Sequence, residues 1–162
     1  MYTPLAIANT IIAMKPGCFN AMWLNKAVYF VHGWSLAFGK SVLGELPATW
    51  RYGPIYASLY DELRHHRLKN LEKPQVGGGR WNASLVPEED VLTRDIIAQV
   101  IKSYGKFTAR QMSTLAHRDG TPWKEEAAAH DYRVPMDHVI PEWRLKAHFE
   151  EKLADSQMSK AA

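Results

Sequence analysis

A chain of 162 residues, 46% apolar and 23% charged, carries enough apolar side chain to bury a core as one domain, which excludes general disorder. Its formal net charge of +3 is too weak an electrostatic footprint to demand a nucleic-acid partner. The single cysteine, Cys18, excludes an intrachain disulfide framework and a Cys-rich zinc site, and favours a reducing compartment.

Thr3-Pro4 predicts a helix start, with Thr as N-cap and Pro in the first turn, and Lys15-Pro16-Gly17 ends that helix. The apolar run from Leu5 to Met14 is broken by Asn9 and Thr10 and has no Lys or Arg ahead of it. It reads as neither a secretion signal nor a membrane span, so a cytoplasmic protein without membrane contact is expected. A second helix, from about Asn20 to Phe38, is apolar nearly all round, which marks it as central and buried. Its exceptions, Asn25, Tyr29 and His32, share one stripe, with Lys26 beside them.

The segment from Leu46 to Tyr52 alternates weakly and holds Pro47, so an extended arm or short hairpin is expected near residues 42–52. Gly53-Pro54 then opens a third helix, about Ile55 to His66. Its core stripe is Ile55, Leu59 and Leu63, and a second ridge is Tyr56, Tyr60 and Arg64. Two aromatics and an arginine beside a core stripe have the composition of a binding hot spot; packing of the tyrosines beneath the following loop is the competing reading. Residues 67–82, with Lys73-Pro74 and Gly77-Gly78-Gly79, predict a long, disordered loop.

A fourth helix spans about Glu88 to Tyr104, with Val91, Leu92, Ile96, Val100 and Ile101 inward and Gly105 as C-terminal cap. Thr108 and Gln111 then predict a capping box, flanked by Phe107 and Met112 as hydrophobic staple, for a short fifth helix to about His117. Asp119-Gly120-Thr121-Pro122 reads as turn chemistry. A last helix is predicted from Pro141 to Leu153, with Trp143, Leu145, Ala147 and Phe149 buried. The expected architecture is therefore mainly α: a compact helical bundle of about six helices over residues 1–153, with 154–162 as a flexible tail.

Chemistry is sparse. The seven histidines show no His-Glu-x-x-His spacing, and adjacent His65 and His66 are expected to face different ways, so no metal site is expected. Gly77-Gly78-Gly79 lacks the Gly-Lys-Ser/Thr ending of a phosphate loop, and Cys18 has no histidine near it in sequence. Neither a cofactor nor catalysis is expected. The helix pair around Gly105 has a helix-turn-helix look that would present Arg110, Gln111, Thr114 and Arg118 to a major groove. The low charge, and a Gln111 already committed to the capping box, disfavour nucleic acid.

Three stretches together give a resemblance. Lys26-Ala27-Val28-Tyr29-Phe30-Val31-His32-Gly33-Trp34, then Trp50-Arg51-Tyr52-Gly53-Pro54-Ile55 with Tyr60 beyond it, then Leu115-Ala116-His117-Arg118-Asp119-Gly120-Thr121-Pro122-Trp123 are similar to the Panacea domain of the SocA-like antitoxin family. Ile7-Ala8-Asn9 and Tyr104-Gly105 with Phe107 extend the resemblance to about residues 5–150. Ala27, Ala57 and the 67–82 loop depart from the family pattern.

The resemblance implies a fold shared with phage-associated proteins. It also implies an antitoxin that binds a cognate toxin directly, with a protease or chaperone system as a further partner class. Tyr52 and Trp123, aromatic motif residues, join Tyr56, Tyr60 and Arg64 as partner-binding candidates. Lys26, Tyr29, His32, Gly33, Trp34, Trp50, Gly53, Pro54, His117 and Pro122 are expected to hold the fold, with Trp34 in the core and His32 and His117 in buried hydrogen bonds. An interaction module with a non-toxin target, or a DNA-binding regulator, is the alternative.

Overall fold

The computed structural model describes residues 1–77 and 79–161, with side-chain surroundings up to residue 157. Seven helices among the described residues enclose a two-stranded hairpin: α1 Pro4–Met14, α2 Ala21–Ala37, β1 Ala48–Trp50, β2 Gly53–Ile55, α3 Ala57–Leu63, α4 Val91–Tyr104, α5 Ala109–His117, α6 Pro122–Ala129 and α7 Glu142–Ala161. Helix α2 is the axis. It packs on α1, α3, α4, α5 and α7, which is why its sequence has no polar face to spare.

The local signals act as the chemistry requires. Thr3 Oγ1 accepts from the Ala6 amide to cap α1, and Asn20 Oδ1 accepts from Trp23 to cap α2. The capping box at α5 is complete: Gln111 N donates to Thr108 Oγ1 at 3.1 Å and Thr108 N donates to Gln111 Oε1 at 2.8 Å. Met112 is buried and Phe107 packs against the core.

Several boundaries differ. Helix α3 starts two residues later than its pattern suggests, because Ile55 is taken into the hairpin, opposite Ala48. The hairpin's tip is therefore Arg51-Tyr52, and its return arm runs past residue 52. Helix α6 is missing from the sequence reading, yet Thr121-Pro122 repeats the Thr3-Pro4 signal and Thr121 Oγ1 caps the Lys124 amide. Helix α7 continues through Ala161 where a loose tail was expected. On it Leu145 and Phe149 are buried, but Trp143 and Ala147 are exposed. On α4, Val91 and Leu92 also face outward, and Ile97 fills the core instead. Gly105 ends α4 in a right-handed conformation, so no left-handed cap is used.

The 67–82 loop is anchored at Leu71, which exchanges backbone hydrogen bonds with Gly17 and Phe19, and at Gln75, while Leu68 and Trp81 stay exposed; Gly78 of its glycine run lies outside the described residues. Buried Asn9 donates to the carbonyls of Gln75 and Ser84 (2.9 and 3.1 Å) and accepts from the Gln75 amide. Thr10 Oγ1 accepts from Val86 N, and Leu71 and Val86 are buried. The two polar residues that interrupt the apolar face of α1 thus satisfy backbone groups of this loop and of the segment that follows it.

The aromatic core lies between α2, α4 and α7. Phe30 stacks on Tyr104 at 4.3 Å, and Phe149 meets Tyr29, Phe30 and Trp34 edge-on. Trp34 is half-buried rather than enclosed, and its indole N–H reaches the Tyr104 hydroxyl at 3.4 Å. Trp34→Ala is expected to cost about 2–3 kcal/mol, below the range for a fully enclosed indole, as read from denaturant unfolding. A loss under about 1 kcal/mol would remove Trp34 from the core.

Candidate protein-binding groove

The polar stripe of α2 meets the hairpin and α3. Asn25 brackets the Tyr56 backbone, donating to its carbonyl at 3.2 Å and accepting from its amide at 2.9 Å. His32 Nδ1 and the Tyr56 hydroxyl share a hydrogen bond of 2.7 Å. Burial drives the His32 imidazole down to about 4, so it is neutral in this bond, and pushes the Tyr56 phenol well above its ordinary value. The Tyr29 hydroxyl and His32 Nε2 have no hydrogen-bond partner among the described residues.

Lys26 is 0% exposed, and its ammonium donates to the Pro54 carbonyl at 2.8 Å. Burial lowers its pKa to about 7. Gly53 lies against it with φ +114, a conformation that favours glycine, and a Cβ there would make a tight 3.1 Å contact with Lys26 Nζ. The Ser113 hydroxyl donates to the Tyr52 carbonyl, and Trp123 Nε1 donates to the Trp50 carbonyl at 2.8 Å. His117 Nδ1 engages the Ser113 carbonyl, and its ring meets Trp123 edge-on at 5.5 Å. The hairpin tip is thereby held from three sides.

This frame opens a groove of about 570 Å³ between the start of α2, the hairpin and α3. Met22, Trp50, Tyr52, Ile55, Tyr60 and Leu68 give its apolar lining, with Trp50 edge-on to Tyr60 at 4.9 Å. Arg51, Arg64 and Arg67 line it too, and among the described residues no acidic one does. Tyr52 is 65% and Tyr60 42% exposed, and Arg64 is exposed.

The structure sorts the five partner-binding candidates. Tyr52, Tyr60 and Arg64 come together in the groove. Tyr56 is 0% exposed and belongs to the core, which corrects its place on the ridge: its backbone is fixed by Asn25, so its ring turns inward to His32. Trp123 is half-buried and lines a neighbouring hollow that shares Trp50, Arg51 and Met136 with the groove. Sequence reasoning missed Arg67, Leu68 and Met22, whose outward apolar or cationic character on helix ends carries no pattern of its own. His65 and His66, expected to diverge, have ring centroids 4.1 Å apart.

A family profile described as "Antitoxin SocA-like, Panacea domain" matches residues 24–124, more than half of the chain. The chain belongs to this family. The Panacea match takes in α2 from residue 24 onward, the hairpin and α3 through α5, hence most of the groove residues, with Met22 and Met136 outside it. It stops short of the 5–150 suggested by the motifs, leaving α1 and α7 outside. The chain is also similar to Antitoxin SocA of Caulobacter vibrioides (strain NA1000 / CB15N), 22% identical over 127 residues, covering 73% of this chain and 66% of that protein. No solved structure matches the chain. No helix among the described residues is long and apolar enough to cross a membrane.

Proposed function

We propose that this chain is a cytoplasmic antitoxin that neutralises a cognate toxin by seating a segment of it in the groove, and that it acts by binding rather than by catalysis. Membership of the Panacea family supports the antitoxin reading. The groove itself carries the mode: an open apolar trough with two exposed tyrosines, three arginines and no acidic lining residue. Such a surface favours a partner segment whose apolar side chains are flanked by Asp or Glu.

Co-expression with the toxin encoded beside the gene, followed by affinity capture, is the test. Tyr60→Ala and Arg64→Ala are each expected to weaken the complex about 30-fold, the hot-spot scale, and to abolish growth rescue, with melting temperature nearly unchanged. Rescue and capture that survive both changes would place the interface elsewhere. Toxin that persists in rescued cells indicates occlusion, and toxin that disappears indicates delivery to a protease or chaperone system. The DNA-binding alternative gains nothing from the fold: Arg110, Thr114 and Arg118 are exposed, as on any solvated helix, and Gln111 is held in its capping box.

A further inference from the structure

We propose that Glu126, His130 and His138 form a binding site for a divalent transition-metal ion of the zinc type. Glu126 and His130 stand one turn apart at the end of α6, and so lie on one face. Left-handed residues Asp131 and Tyr132 (φ 55 and 60) then reverse the chain. His138 returns because β1 holds its backbone: the Thr49 amide and hydroxyl both donate to the His138 carbonyl, at 2.8 and 2.9 Å.

One ligand atom from each of the three residues falls within 4.8 Å of the other two. His138 Nε2 is 2.8 Å and His130 Nδ1 3.7 Å from the same oxygen, Glu126 Oε1. Tetrahedral zinc with bonds of about 2.0–2.1 Å holds its ligand atoms roughly 3.3 Å apart, so small side-chain rotations suffice. His130 Nδ1 also faces the Glu126 carbonyl at 3.1 Å, a contact that metal binding would replace.

Two imidazoles crowd one carboxylate oxygen, with ring centroids 4.6 Å apart. A single cation would take both nitrogen lone pairs and the carboxylate oxygen at once, replacing the separate hydrogen bonds that the two imidazoles otherwise make to Oε1 and to the Glu126 carbonyl. The other carboxylate oxygen, Oε2, accepts from Arg144 Nε at 2.8 Å, so Oε1 alone is presented. Glu125 pairs with the same guanidinium at 3.3 Å and offsets its charge. Glu126 is buried, His138 half-buried and His130 exposed, so the cluster sits at the surface, and three protein ligands would leave one of four positions open to solvent. The cluster lies beyond residue 124, outside the Panacea match, and bound metal would clamp α6 to the 130–141 segment and, through Arg144, to α7.

Zinc chloride titrated into the chelator-treated full chain by calorimetry is the experiment. One equivalent should bind with a micromolar dissociation constant. His138→Gln and His130→Gln should each weaken it about tenfold or more, while His65→Gln changes nothing. Absence of saturable binding, or binding that His138→Gln leaves intact, overturns the proposal. If either variant fails to fold, cobalt added to the wild-type chain decides: visible bands of a four-coordinate nitrogen–oxygen site support it, and the spectrum of aqueous cobalt overturns it.

Discussion

Gly33→Ala is expected to destabilise the protein by about 3 kcal/mol, the upper end of the usual overpacking cost, against the ordinary preference of helices for alanine. A methyl group at Gly33 would lie 2.1, 2.2 and 2.5 Å from three atoms of the Phe149 ring. Phe149 is fully buried and meets Tyr29, Phe30 and Trp34 edge-on, so the ring can make room only by giving up those contacts. Without that contact, alanine in the middle of α2 would add about 1 kcal/mol of stability, so even the sign is diagnostic. Urea unfolding measures it. The double variant with Phe149→Leu should lose less than the two single losses combined, because the smaller side chain vacates the space the methyl needs. A stable Gly33→Ala protein would mean that α2 and α7 are not in contact at this point.

The second large effect is a rise in stability between pH 7 and pH 9. Burial pushes the Lys26 ammonium down from 10.5 to about 7. Across that interval the unfolded chain holds a proton that the folded chain has released, so folding becomes more favourable as pH rises. One proton is worth up to about 1.4 kcal/mol per pH unit, or about 2 kcal/mol from pH 7 to pH 9. Lys152 is also driven down by burial and adds a contribution of the same sign. The raised phenols of Tyr2, Tyr29, Tyr56 and Tyr104 oppose the trend only above pH 10, where unfolded tyrosine ionises. Lys26→Met leaves the Pro54 carbonyl unpaired, so its absolute stability says little; its slope should fall well below the wild-type slope. An unchanged slope would mean that Lys26 is solvated in the fold.

Signals carried by adjacent residues were legible in the sequence. Thr108 with Gln111, Thr3 with Pro4 and the apolar circumference of α2 all act through neighbours within a turn or two, and each matches the structure. Thr121-Pro122 is equally local, but Asp119-Gly120 before it reads as a turn and masks the helix that follows. Fates set by distant pairing were not legible. Ile55 leaves the helix because Ala48 pairs with it across the hairpin, and Tyr56 turns inward because Asn25, thirty-one positions away, takes both of its backbone groups. The Glu126, His130 and His138 cluster was invisible for the same reason, since strand β1 sets where His138 sits. In the groove, Tyr60 and Arg64 could be read from helical spacing alone, but the basic, acid-free rim appears only when three elements converge.

The notch at Gly33 bears on where this protein could be cut. The residues by which the family is recognised end at 124, whereas the side chain that fills the notch comes from position 149. Helix α1, on another flank of α2, likewise begins and ends before residue 24. Trimming the chain to its recognisable portion would strip two covers from α2 at once and leave its apolar surface facing water. The hallmark segment is thus shorter than the set of helices that covers α2, and a graft of those residues alone into another protein would bring most of the groove without the means to hold it together.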